Sequence, residues 1–338
     1  MSQAPPAAPK VDPTLTHQIA QWKHTAPLVG CRFDPTGKYV VAGAQDNSLV
    51  RWSVADGKAT LLKGHRSWVR ALAFSSQHGL MFSGDWAGQL LAWPVEGDAP
   101  VPRWNLAAHR GWVRALAVSP DGKLLASCGN DHLVKLWSLP DGKPVRTFAG
   151  HDCHVYQVLF TPDGRSLVSA DLKGMVKVWD VQKGGPQREM EARILHKYDP
   201  TFMADIGGVR SMAFDAAGKY LACAGITNVS NAFAGIGNPL VVLFDFATGK
   251  QLLQLKPKVA FQGTAWGVAF HPSGIVLGVG GGNGGVLWAW KTDNAVPFHT
   301  LTLTGNARDL ALHPDGVRLA VPYYDGFVRL YAMTGKKA

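Results

Sequence analysis

The chain of 338 residues has no run of eighteen apolar residues, so no segment reads as a membrane-crossing helix. Its N-terminus, MSQAPPAAPKVDP, has no charged stretch leading into an apolar one. It reads as a disordered, Pro- and Ala-rich lead-in over 1–13 and not as a secretory signal. The four cysteines, Cys31, Cys128, Cys153 and Cys223, fall in no CxxC spacing, which removes the usual zinc and redox signatures. Three of them lie in or beside apolar strand patterns, so they read as reduced structural thiols of a cytoplasmic protein. Five like charges never occur in succession, and the net charge of +10 is spread along the sequence. That excludes a basic tail. It leaves nucleic acid open as a partner, behind an acidic protein. Long Ala-, Glu-, Lys- and Leu-rich helical stretches are missing too, and no segment longer than a turn has helical periodicity.

What is present is turn-rich and aromatic: 38 Gly, 21 Pro and 12 Trp in a chain that is 46 % hydrophobic and 17 % charged. Many short strands follow from that chemistry, with enough apolar material for a sizeable core. Length alone suggests about two domains, but internal repetition overrides it. GHRSWVRALAF at 64–74 returns as AHRGWVRALAV at 108–118. Turns ending in Gly37, Gly79, Gly122, Gly164, Gly218, Gly274 and Gly316 mark seven units. The aromatics Trp52, Trp93, Trp137, Trp179, Phe244, Trp290 and Tyr331 mark the same seven. Both landmark sets recur about every 42 residues, with a longer interval around unit 5. Each unit reads strand, turn, strand, turn, strand, turn, strand.

With Gly-His or Ala-His near the start, an Asp-containing turn and a closing Trp or Trp-Asp, the units resemble WD-repeats. GH at 150–151 with WD at 179–180 is one example; AH at 108–109 with ND at 130–131 and LW at 136–137 is another. The resemblance covers about 14–334, strongly in units 1–4 and weakly in units 5–7, where the His is lost. It implies an all-β, seven-bladed WD-repeat β-propeller around a central channel, a single domain over 14–334 with a tail at 335–338. The last unit stops after its third strand, DGFVRLYAM at 325–333, while THQIAQWKH at 16–24 supplies an unassigned strand. His24 precedes Phe33 by the interval that separates His65 from Phe74 and His151 from Phe160. The last blade is therefore expected to be closed by the N-terminal strand, which removes two exposed sheet edges.

Unit 3 offers His109, Ser127, Asp131 and Trp137, residue types that also serve Ser-His-Asp hydrolysis. The resemblance implies a structural tetrad instead: a buried chain from Trp to Ser, Ser to His and His to Asp that rigidifies the blade. Unit 1 has Ala42 at the Ser position, and units 2 and 4 have Ala87 and Lys173 at the Asp position. Such erosion suits a structural element, and no catalytic residue is assigned. GGGNGG at 280–285 matches GxGxxG, but a strand follows where a dinucleotide site needs a helix. It reads as a hairpin. His151, Cys153 and His154 lack a fourth ligand with workable spacing, so no metal or cofactor is expected. His271 and His313 read as turn residues.

The duplicated Trp-x-Arg is different. The residue four before the end of each first strand is Val29, Arg70, Arg114, Tyr156, Arg210, Trp266 and Arg308 in turn. The resemblance places this position where the innermost strand enters the channel mouth, with Trp68 and Trp112 flanking it. Arg and large aromatics are the side chains that dominate binding hot spots, and Arg pairs bidentately with carboxylates and phosphates. The competing reading pairs these arginines locally with Asp85 and Asp171. Two insertions, KYDPTFMADIGG at 197–208 and ITNVSNAFAGIGNP at 226–239, are expected to emerge on the same face with Phe202, Met203, Phe233 and Ile236. The expectation is a non-enzymatic scaffold, a monomer within a larger complex. It would bind a peptide or acidic protein segment through Trp68, Arg70, Trp112, Arg114, Tyr156, Arg210, Trp266 and Arg308. The alternatives are a small-ligand-binding or hydrolytic site at the channel mouth, and weak nucleic-acid binding by the basic surface.

Overall fold

In a computed structural model that describes residues 11–231 and 236–335, seven four-stranded antiparallel sheets succeed one another. Their innermost strands are Leu28–Phe33, Val69–Ser75, Val113–Val118, Val155–Phe160, Ser211–Phe214, Gly263–Phe270 and Ala311–Leu312. Each packs against the next and the last packs against the first, so the blades close a propeller ring. The core lies between blades. Ala126, Leu136 and Phe148 of blade 3 share one apolar cluster with Val158, Leu167 and Trp179 of blade 4. A blade has two apolar faces and buries both only by stacking, which is why the sequence must repeat itself.

Blade 7 is completed by the N-terminal strand, as the sequence predicts. His17–Lys23 pairs antiparallel with Phe327–Ala332, from Gln18 opposite Tyr331 to Lys23 opposite Phe327. Just before it, Asp12 caps a short 3-10 turn over Pro13–Leu15, and its backbone N–H donates to the Met333 carbonyl. The PDG turns explain their own sequence. In blade 3 Gly122 takes φ 68° and Asp121 accepts the Lys123 backbone N–H at 3.1 Å, the left-handed turn position that favours glycine.

The polar tetrad occurs three times, not once. In blade 3 Trp137 Nε1 donates to Ser127 Oγ at 2.9 Å, and His109 bonds Ser127 through Nε2 and Asp131 through Nδ1, both at 2.8 Å. Blade 2 repeats it with Trp93, Ser83, His65 and Asp85, and blade 4 with Trp179, Ser169, His151 and Asp171. The apparent loss at Ala87 and Lys173 is thus corrected. The carboxylate reaches His from two residues after the Ser in blades 2 and 4, and from four residues after it in blades 1 and 3. The earlier position in blade 3 is Gly129, where a Cβ would lie 2.7 Å from the His109 ring. In blade 1, with Ala42 in place of Ser, His24 uses Nε2 to reach Asp46 at 2.7 Å.

Blades 5–7 replace the network with packing. In blade 6 the run at 276–282 pairs with Gly284–Trp290 as the expected hairpin. A Cβ on Gly278 would meet the Trp290 ring at 2.7 Å, and one on Gly280 the Trp288 ring at 2.3 Å. The glycines make room for two buried indoles. In blade 7 Tyr323 and Tyr331 share a buried hydroxyl–hydroxyl bond of 2.6 Å. His271 and His313 are more than turn residues. Both are buried and tie neighbouring blades, through the Gly316 and Gly37 carbonyls respectively.

Both insertions enter blade 5 as hairpins, not irregular loops. One pairs His196–Asp199 with Ala204–Gly207; the other extends Tyr220–Asn231 and Ile236–Asp245 beyond the blade. Lys197 Nζ donates to the Val229 carbonyl at 2.6 Å, holding the two together. Phe202 and Met203 are exposed and Ile236 is half-buried, while Phe233 lies outside the described residues. Among the described residues no helix is long and apolar enough to cross a membrane.

Candidate functional site

A β-bulge recurs at one end of the innermost strands. In blade 2 Val69 pairs with Asp85 and Ala71 with Gly84, which leaves Arg70 as an extra residue. Val29, Arg114, Tyr156 and Trp266 are the extra residues of the same bulge in blades 1, 3, 4 and 6. Arg210 and Arg308 stand at the matching point of blades 5 and 7, where their N–H groups donate to the Ala224 and Pro322 carbonyls at 2.7 and 2.9 Å. A bulge bends the strand and re-aims one side chain. Repeated around a closed ring, it delivers seven side chains to the channel axis.

All seven line one cavity of about 250 Å³, together with Trp68 and Trp112. Every residue that the sequence nominates for the mouth is therefore brought to it. Two more wall residues, Gln45 and Trp86, escape the sequence reading. They belong to a second repeated position, three residues beyond the tetrad Ser or its equivalent. Its signal is a backbone bond: Gln45, Trp86, Asn130, Leu172 and Tyr324 each donate N–H to the carbonyl two residues before the mouth residue. Trp86 thereby stacks on Trp112, ring centroids 3.6 Å apart, and meets Trp68 at 4.5 Å with the planes tilted by 41°.

The arginines lean on the aromatics. Tyr156 sits between the guanidinium groups of Arg114 and Arg210, at 4.2 and 4.6 Å. Trp266 is approached by Arg70, Arg210 and Arg308 at 5.7, 5.5 and 5.2 Å. Arg114 also covers Trp112 at 4.0 Å and donates from Nε to Asn130 at 2.6 Å. A guanidinium held by its face keeps its N–H edge available for an anion. Local pairing with Asp85 or Asp171 does not occur, because both carboxylates are spent on the tetrad histidines. Among the described residues none of the four mouth arginines forms an ion pair, whereas Arg32, Arg318 and Arg329 do. Arg210 Nε and Arg308 Nε are buried without a hydrogen-bond partner there.

Burial is the main cause that lowers Arg70, Arg114 and Arg308. It pulls Arg70 down to about 10; Asp309 opposes the change and Arg210, Arg32 and Arg308 add to it. Arg114 falls to about 10, again through burial, with repulsion from Arg210 and Arg70. Arg308 is lowered by burial as well. All three still carry their charge at neutral pH. Beneath the mouth, Asp309 Oδ2 accepts from Arg32 at 2.6 Å and from the Cys31 backbone N–H at 3.3 Å.

Among the described residues the mouth offers donors and flat apolar walls and no nucleophile–base pair. Ser127 and the His109 ring are fully buried in the blade, out of reach of a substrate. No residue of the two insertions lines the cavity among the described residues.

The family model described as WD domain, G-beta repeat matches residues 16–53, 58–93, 100–138 and 142–180. Each match begins one strand before a blade and ends with that blade's third strand, so the repeat in sequence and the blade in space are offset. An uncharacterized WD repeat-containing protein of Schizosaccharomyces pombe is 24% identical over 146 residues, 40% of each chain. Human angio-associated migratory cell protein is 28% identical over 38% of this chain and 29% of its own. Polyadenylation factor subunit 2 of Candida albicans is 27% identical over 37% of this chain and 22% of its own. The matched stretches span less than half of each relative.

Proposed function

From the premise that this chain is a seven-bladed WD-repeat propeller, of a family whose members commonly act as protein-interaction scaffolds, we propose that it is a non-catalytic scaffold. Its channel mouth captures an acidic peptide or protein segment. The observation that carries this reading is the set of four arginines, braced on Tyr156 and Trp266, around a cavity with no carboxylate in its wall among the described residues. Such a cavity favours a negative ligand, and Arg with Trp and Tyr is the composition of binding hot spots. The relative that is a polyadenylation factor subunit supports action within an assembly. Four buried cysteines, all free, fit a reducing cytoplasm. Nucleic acid ranks lower, because the four mouth arginines ring one small cavity and do not track a backbone-length groove.

Affinity capture with the wild-type protein and with the Arg70→Ala/Arg114→Ala double variant, read by mass spectrometry, tests this. The variant is expected to keep its melting temperature and lose its partners. Equal capture by a folded double variant would overturn the reading.

A further inference from the structure

Resting on that reading, we propose that the group seated in the mouth is a phosphate monoester carried by the bound segment. A cavity of about 250 Å³ admits one side-chain headgroup. Four guanidinium groups surround it, and their mutual repulsion is part of what lowers Arg70 and Arg114. One carboxylate removes one unit of that charge and offers two oxygens. A phosphate monoester carries nearly two charges near neutral pH and three strong acceptor oxygens.

The geometry suits that group. Tyr156 and Trp266 lie within cation–π distance of all four guanidinium groups and hold them around the cavity. Arg70 spends one N–H on the Val29 carbonyl and Arg114 its Nε on Asn130, which leaves each further N–H groups, and edge-on bidentate pairing is how Arg binds phosphate. Arg210 Nε and Arg308 Nε, on opposite sides of Trp266, are buried donors without partners among the described residues. Buried donors are almost always paired in a completed structure. An anion on the axis faces the guanidinium groups of both side chains, which line the cavity.

The probes are phenyl phosphate and phenylacetate, titrated at constant ionic strength and followed by the fluorescence of the mouth tryptophans and by calorimetry. Phenyl phosphate is expected to bind about tenfold more tightly than phenylacetate. Its binding tightens as pH rises through about 6, where the second phosphate proton leaves. Arg210→Ala and, separately, Arg308→Gln are each expected to weaken it about tenfold with melting temperature retained. Equal affinity for the two probes, absence of binding by phenyl phosphate, or indifference to both substitutions overturns the proposal. Capture after phosphatase treatment of the lysate separates the two layers. Partners that persist in that experiment but vanish with Arg70→Ala/Arg114→Ala sink the phosphate and leave the acidic segment. Partners indifferent to the double variant sink both.

Discussion

Trp86 of blade 2 lies flat on Trp112 of blade 3, ring centroids 3.6 Å apart and planes 8° from parallel. The contact crosses a blade boundary and is fixed at both ends by backbone. The Trp86 N–H donates to the Trp68 carbonyl at 3.1 Å, and the Asn130 N–H donates to that of Trp112 at 3.1 Å. The stack is therefore a wall of the mouth and also a rivet between blades.

Trp86→Ala should reveal both roles. Loss of a half-buried indole and its stacking is expected to cost about 1–3 kcal/mol in urea unfolding. The near-UV circular dichroism of the stacked rings should collapse while the far-UV signal is kept. Anion binding at the mouth should weaken, since Arg114 rests on the Trp112 face. A variant with native stability and an unchanged near-UV spectrum would show the stack to be incidental.

The three complete tetrads make a prediction that the sequence alone reverses. Read by alignment, only unit 3 has all four side chains. In the structure Ser83, Ser127 and Ser169 occupy the same junction of Trp and His bonds, and all are fully buried. Ser83→Ala, Ser127→Ala and Ser169→Ala should each destabilise by about 1–3 kcal/mol, because each leaves a buried indole N–H and imidazole nitrogen unpaired. A much smaller loss for blades 2 and 4 than for blade 3, measured by chemical denaturation, would contradict the equivalence.

Most of this mouth was legible in the sequence, and the reason is geometric. A bulge at a constant distance from the strand end keeps a constant count, so counting back from Phe74 or Phe160 finds Arg70 and Tyr156. Asp131 was legible as a tetrad acid, but Asp85 and Asp171 were not, because a turn lets a carboxylate approach the same imidazole from different offsets. Trp86 was missed for a related reason. It begins a turn, and turn residues read as connectors until the backbone bond to Trp68 is seen. The second insertion did carry a strand signal. Val229 is buried between exposed Asn228 and Ser230, the alternation of a strand edge-on to the core.

Acid should weaken the fold in two stages. Burial is the largest cause that lowers His109, His154, His271 and His299 below 6.5. The unfolded chain takes up those protons first, so it binds more protons than the folded chain just below pH 6.5. Stability therefore falls as pH drops from about 7 to about 5. The second stage belongs to Asp131. Burial alone would raise it, but the His109 bond and charge, with the Arg110 N–H and Lys135, bring it to about 2. Its contribution is present above 3.8 and is lost as pH falls toward 2. Urea midpoints that stay flat between about pH 7 and 5 would argue against burial of neutral histidines.

Asp309 is a carboxylate whose charge acts on Arg70, and its removal should move stability and binding in opposite directions. It sits on blade 7 and reaches blade 1 through Arg32 and the Cys31 N–H, across the seam where the ring closes. Its negative charge also supports the protonated form of Arg70. Asp309→Asn keeps the shape and one acceptor oxygen but deletes the charge. The seam should then weaken by about 1–3 kcal/mol, the range for a lost charge-assisted bond, discounted because the Arg32 side chain is 43% exposed. The mouth gains a full unit of uncompensated positive charge, so phenyl phosphate should bind several-fold more tightly, most visibly at low salt. A protein less stable yet better at holding the anion has no explanation in general loss of structure. Weaker binding by a folded Asp309→Asn protein would mean that Asp309 positions the arginines, and that their charge is not what draws the ligand.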